Sequence, residues 1–349
     1  MRALRWHGRR DLRLEDVPDP GPPGPGEVTV AVEWCGICGT DVEEYTDGPL
    51  VIPSTPHPLT GLTSPMIVGH EVAGRVAAAG PGAGLEPGTL VALDGYLYCG
   101  RCRACERHQV NLCERWAHIG MSYPGGLAER MVVPASMAVP ATSDLPGDEL
   151  ALAEPCSVAV RSLRRARLQL GERLVVIGAG TIGLAVLQVA RTAGAGETVA
   201  VDPIPARREL AGRLGADDAA PGVEALAGAG MAGAFDLVVD CSGSSEVPNA
   251  AMALTRPGGR IVLVGFPPRP GTLDYKTLLL RELTLVASVG HVYDEDFATA
   301  VGLLCSNRVD AAALISHRIP LERAVPDGIE LLAGEGRKDA LKILVSPTI

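Results

Sequence analysis

The sequence predicts an α/β protein in two parts, a β-rich domain joined to a doubly wound parallel sheet. Three observations lead there. Residues 1–155 alternate short apolar strand candidates with turn clusters such as Pro18-Asp19-Pro20-Gly21-Pro22-Pro23-Gly24 and Gly80-Pro81-Gly82. From Arg173 onward, strand and helix patterns alternate, the rhythm of a parallel sheet covered by helices. A length of 349 residues is that of about two domains. The expected boundaries are 1–155 for the β-rich domain, 156–290 for the parallel sheet, and 291–349 for a tail that returns to the first domain.

In chain order, residues 28–32 alternate as a strand, and Thr40-Asp41 marks a helix start. Residues 48–66 hold Pro49, Pro53, Pro56, Pro58 and Pro65, an irregular surface loop. Strands are expected over 71–79 and 89–93. A helix is expected over 157–170. Then come strands at 174–177, 198–201, 236–240, 260–264 and 283–287, with helices at 181–193, 205–214 and 246–254. The tail reads as helix over 294–306, helix again over 319–333, and a strand over 340–345.

Composition removes several functions. The formal charge of −10, with no basic stripe, argues against nucleic acid. Met1–Gly8 is too polar to begin a secretory signal. Residues 174–190 are nearly uncharged, but they fall short of the about 20 residues of a membrane span and are split by a glycine turn. They read as a buried strand and helix, so no membrane partner is expected. Nine cysteines without an export signal favour metal binding over disulfides and a cytoplasmic setting.

The cysteines carry the first chemistry. Cys99, Cys102, Cys105 and Cys113 follow the pattern C-x2-C-x2-C-x7-C, and four thiolates this close can close a tetrahedral shell on one structural zinc. An iron–sulfur cluster is the alternative, although the proline that follows the last cysteine in bacterial ferredoxins is missing. Cys38 ends the first long strand, and Gly69-His70-Glu71 follows about thirty residues later. Thiolate and imidazole together favour zinc. His7, His108, His118, His291 and His317 read as surface or hydrogen-bonded histidines, and Cys241 and Cys305 as packing thiols.

Gly178-Ala179-Gly180-Thr181-Ile182-Gly183 follows a strand and opens a helix. The first glycine allows the turn, the second the approach of a pyrophosphate, and the third the packing of helix on strand. Thr181 and Ile182 then lie at the helix N-terminus, facing the phosphates. Asp202 ends the next strand, placed to accept hydrogen bonds from a ribose and to repel a 2′-phosphate, which favours NAD. Arg207 belongs to the same site and, with Arg208, keeps NADP as the alternative.

Taken together, these pieces resemble the zinc-dependent medium-chain alcohol dehydrogenases. The resemblance spans Gly36-Ile37-Cys38-Gly39-Thr40-Asp41, Gly69-His70-Glu71, the four cysteines, Gly125-Gly126-Leu127-Ala128-Glu129, the Gly178–Gly183 loop and Asp240-Cys241-Ser242-Gly243. It is closest to the 2,3-butanediol and sorbitol dehydrogenase branch, through Ala3–Gly8, Asp47-Gly48-Pro49, His57–Gly61 and Ile319–Val325. The resemblance implies a Rossmann domain beside a GroES-like catalytic domain, and a homodimer or homotetramer. It implies a catalytic zinc on Cys38, His70 and Glu154, with Glu71 behind it or alternating with a ligand, and Thr40 passing on the alcohol proton. Cys156, two residues from Glu154, is the competing ligand. The chain departs from the family where a relay histidine is common, five residues beyond the first ligand. Here Glu43 stands in that place.

The expected activity is hydride transfer between a secondary alcohol, or its ketone, and NAD. A shell with one thiolate and a carboxylate is harder than a two-cysteine shell, and Glu43 and Glu71 offer acceptors for a second hydroxyl. These features favour a vicinal diol or hydroxyketone. A cyclic polyol or amino-polyol is the rival substrate. A zinc-free quinone-type reductase and a non-catalytic NAD-binding protein are the rival classes.

Overall fold

The structure is a computed structural model describing residues 1–349, and the chain divides into two compact units. One comprises Met1–Glu154, Val292–Asn307 and Ala311–Ile349; the other comprises Pro155–His291 and Arg308–Asp310.

The first unit is built on a seven-stranded sheet whose axis is the Glu27–Ile37 strand. That strand pairs antiparallel with Glu71–Ala79, Arg130–Pro134 and Lys342–Ser346. Its inward residues Val28, Val30 and Val32 are buried, as period-two alternation requires. It runs five residues past the predicted end, because Gly36 and Ile37 are held between Glu71 on one side and Leu344 and Ile343 on the other. Cys38 therefore leaves the centre of a sheet, and the Gly39–Asp47 helix starts directly after it. A second, three-stranded sheet joins Asp11–Asp16, Arg2–Gly8 and Met66–Ile67.

The tail corrects the expectation for residues 319–333. The segment Ile315–Pro320 is a strand, paired parallel with Lys342–Ser346, and only short helical turns follow, from Leu321 to Ala333. An Ile-Ser-His-Arg-Ile run is too short for its period to separate strand from helix, and the pairing partner lies over twenty residues away. The other helix bounds shift slightly. The helix expected over 157–170 runs Ala153–Ala166, that over 205–214 runs Pro205–Arg213, that over 246–254 runs Val247–Leu254, and that over 294–306 is Ala298–Cys305 after a wider turn, Tyr293–Phe297.

The second unit is a six-stranded, wholly parallel sheet. Its spatial order is Asp218–Ala220, Thr198–Val201, Leu174–Ile177, Phe235–Asp240, Thr255–Leu263, Thr284–Ala287. Leu174–Ile177 and Phe235–Asp240, the first and fourth of these strands in chain order, are neighbours where the winding reverses, the switch point at which such sheets bind ligands. The first of the six strands in space, Asp218–Ala220, is three residues long and left no pattern in the sequence. The central strands are buried on both faces, so they read as continuous Leu-Val-Val-Ile and Thr-Val-Ala-Val runs. No helix is long and apolar enough to cross a membrane.

Candidate active site

Two groups of metal-ligating side chains form, both in the first unit. The ligand atoms of Cys99, Cys102, Cys105 and Cys113 lie within 4.8 Å of one another. Backbone N–H groups of Cys99 and Arg115 both donate to Cys113 Sγ at 3.3 Å, so the loop's own amides already face the sulfur. Cys102 Sγ sits 3.5 Å from Cys105 Sγ. Amides of Cys105 and Glu114 pull the Cys102 thiol down to about 6. Burial, then the neighbouring Cys102 and Cys113, push Cys105 up to about 12. A proton held on one sulfur for the benefit of another is what a divalent cation replaces, and four convergent thiols fit zinc.

The second group is Cys38, His70 and Glu71, whose ligand atoms also converge within 4.8 Å. Its parts come from far apart. Cys38 stands at the end of the central strand, and His70 and Glu71 at the start of the neighbouring one. Gly69 precedes them with φ at +92°, and a Cβ there would strike Cys35 Sγ and Leu127, so glycine turns the chain into the site. Asp41, in the first turn of the Gly39–Asp47 helix, accepts the Cys38 N–H through Oδ2 at 2.9 Å. Its Oδ1 faces His70 Nδ1 at 3.5 Å. Burial works against charging His70, but Asp41 and then Cys38 outweigh it and lift the imidazole well above its ordinary range. A metal entering this site must displace that proton, so loading weakens as pH falls.

Asp41 Oδ1, His70 Nδ1 and Glu71 Oε2 are buried with no hydrogen-bond partner. Asp41 Oδ1 and His70 Nδ1 face one another, and with the Glu71 oxygen and the Cys38 thiol they make an unsatisfied polar cluster of the kind a cation completes. Lys342 lies behind them. Its Nζ donates to Glu71 Oε1 at 2.6 Å and to the Ile37 carbonyl at 3.0 Å, with both side chains almost fully buried. Glu154 is buried in the first turn of its helix, and its charge acts on both Glu71 and Lys342. Cys156 is also buried. Thr40 is exposed on the first turn after Cys38. Glu43, one helical turn further along, is raised above the usual carboxylate range by burial and by Asp47. The His118 ring, read from sequence as a surface or hydrogen-bonded histidine, donates through Nδ1 to the Ile119 carbonyl at 2.9 Å and meets His70 edge-on at 5.2 Å.

In the second unit, the Gly178 loop takes the shape its sequence predicts. Gly178 has φ at +93°, and a Cβ on Gly183 would lie 1.9 Å from the Gly178 carbonyl oxygen. A Cβ on Gly180 would meet nothing within 4 Å. Glycine there answers no need of the protein's own packing, and the open space at the N-terminus of the Thr181–Thr192 helix fits a phosphate approaching the backbone. Ile182 lies in the first turn of that helix. Asp202 accepts from the amides of Ala179 at 2.8 Å and Ile204 at 2.9 Å. Arg207 approaches its carboxylate at 3.9 Å, and Arg208 donates to its carbonyl at 2.7 Å.

Three residues of the site were missed in the sequence. Asp41 was noted only as a helix start, Gly36 only as part of a motif, and Lys342 not at all. A lone lysine within the apolar run Ala340–Val345 is the signal that could have pointed to Lys342.

Similarity to known proteins agrees with this chemistry. Residues 24–143 match the alcohol dehydrogenase GroES-like domain family, and residues 181–306 the zinc-binding dehydrogenase family. The (R,R)-butanediol dehydrogenase of Bacillus subtilis is 31% identical, over 99% of this chain and 100% of its own. A zinc-binding dehydrogenase from Sinorhizobium meliloti 1021, solved bound to NADP, superposes with a TM-score of 0.88 at 31% identity, covering 99% of each chain. An Escherichia coli CFT073 alcohol dehydrogenase complexed with NADH superposes with a TM-score of 0.87 at 27% identity, again over 99% of each. Full-length likeness, on a chain that gathers both cysteine-containing ligand groups, places this protein in the zinc-dependent medium-chain alcohol dehydrogenase family.

Proposed function

We propose that this protein oxidises a secondary alcohol bearing a neighbouring oxygen, a vicinal diol, with NAD, and reduces the corresponding hydroxyketone in reverse. The observation that carries the proposal is the convergence of Cys38, His70 and Glu71, the last two buried with unpartnered polar atoms. Cys38, His70 and Glu154 hold the catalytic zinc; the four cysteines hold the structural one. When bound, the zinc supplies Lewis acidity toward the substrate oxygen, and the nicotinamide supplies the hydride acceptor.

The chain's own residues do the rest. Asp41 orients His70. Thr40, exposed beside Cys38, takes the alcohol proton and hands it on to Glu43, its neighbour one turn away. A carboxylate with a raised pKa is a better proton acceptor near neutrality than an ordinary one. The Gly178–Gly183 loop and Asp202 hold the dinucleotide. Asp202 favours NAD, although Arg207 and Arg208 flank it, and the two similar structures hold NADP in one case and NADH in the other. The free state of all nine cysteines suits a reducing, cytoplasmic setting. The Thr284–Ala287 strand ends its sheet, and near it in sequence Phe266, Tyr275, Leu279 and Leu280 are exposed, so a second copy of the chain is the natural cover and a homodimer or homotetramer the expected assembly.

The experiment is a substrate panel, 2,3-butanediol, 2-butanol, sorbitol and an inositol, each with NAD and NADP, read as reduced-nicotinamide absorbance. The diol with NAD is expected to give the highest kcat/KM. If 2-butanol equals or exceeds every diol and polyol, the second oxygen has no role. Preference for the inositol moves the reading to cyclic polyols.

A further inference from the structure

Lys342 is used by nothing described so far, yet it is buried in the catalytic unit with its ammonium on a carboxylate of the metal site. Register explains how it gets there. Across the sheet, Gly36 faces Glu71 on one side and Leu344 on the other. A Cβ at Gly36 would lie 1.9 Å from Glu71 Oε2, so the glycine makes room for that carboxylate. Lys342 reaches the same place from the tail strand and ties Glu71 Oε1 to the Ile37 carbonyl, one residue before Cys38.

We infer that Lys342 is a positioning residue of the metal site, holding Glu71 back so that this carboxylate does not close the shell that a substrate oxygen must enter. The inference rests on the reading of Cys38 and His70 as zinc ligands. A buried carboxylate within 4.8 Å of a thiolate and an imidazole ligand is a ready fourth ligand. Structural zinc sites are closed by four protein ligands, whereas catalytic ones keep a position open. Lys342 binds one oxygen of Glu71 and balances its charge, while the other oxygen lies in the space that Gly36 leaves by having no Cβ. Without the ammonium, the divalent ion becomes the nearest partner for an uncompensated buried carboxylate. The carboxy-terminal strand thus takes part in keeping the metal accessible.

The test uses cobalt-substituted protein titrated with imidazole, which enters an open metal position and changes the d–d absorption. The change on adding imidazole isolates the open site from the closed four-cysteine site. Lys342→Met is expected to weaken imidazole at least about tenfold, Lys342→Arg to retain most of the affinity, and Lys342→Met with Glu71→Gln to return to within about threefold of the unmodified protein. A merely structural lysine would lower the melting temperature of Lys342→Met and leave imidazole affinity unchanged, and that result overturns the inference. Equal weakening in the single and double variants overturns it too. Should Lys342→Met fail to fold, Lys342→Gln takes its place, with a weakening of at least about tenfold that Glu71→Gln reverses supporting the inference and unchanged affinity refuting it. If the unmodified cobalt protein shows no response to imidazole, the open metal position itself is absent, and the functional reading falls together with the inference.

Discussion

The two cysteine-containing sites of the first unit are built by opposite routes. The Cys99–Cys113 group comes from one short stretch, partly exposed, and its own loop amides point at its sulfurs. The Cys38 group draws on the end of one strand, the start of another, a helix turn and the tail strand, and its His70 and Glu71 are buried. The first assembles from local chain and can close around its ion. The second exists only once the sheet has formed, where Lys342 pairs with Glu71 and Gly36 leaves room for its carboxylate. Local construction suits a clamp; construction by the whole sheet suits a site that must stay open.

The largest effect that sharpens this contrast is expected at His70. His70→Ala removes a ligand of the open site, and kcat/KM should fall by about 10³-fold or more, since Lewis-acid stabilisation is worth several kcal/mol. Melting temperature should move little, and one zinc should remain. Retained activity would break the distinction between the sites. Cys105→Ser is expected to do the reverse. It should lower the melting temperature by roughly 5 °C or more while kcat changes less than about threefold in the fraction that stays folded. Calorimetry and steady-state kinetics on one preparation check both halves.

Asp41→Asn keeps the shape of the His70 partner but removes its charge. Loss of about 10- to 100-fold in activity or in affinity for the catalytic metal is expected, with the four-cysteine zinc untouched. Glu43→Gln should be the mildest. Alcohol oxidation needs Glu43 ionised, so in the parent protein the rate falls as pH drops through its raised pKa, above the ordinary value of about 4.3. The variant should lose that acid limb and run a few-fold slower at neutral pH. An unchanged pH profile would mean that the proton leaves by another route.

The same contrast governs what could be read from sequence. The four-cysteine spacing and the Gly178–Gly183 loop were legible in full, because each function sits within about fifteen residues of chain. Cys38 and His70 were legible as ligand types, and the family likeness joined them. Lys342 and Gly36 were not, because their meaning lies in strand register, which brings residues 36, 71 and 342 together and leaves no local pattern. The Ile315–Pro320 strand was lost for the same reason, its partner being defined only in the folded sheet.

The central claim, a closed zinc site and an open one in the same unit, is tested most directly by counting zinc per chain in the purified protein and in Glu154→Ala and Cys156→Ala. The account predicts two zincs in the parent and in Cys156→Ala, and one in Glu154→Ala. A parent protein with a single zinc, or loss of one zinc only in the cysteine variant, would contradict it.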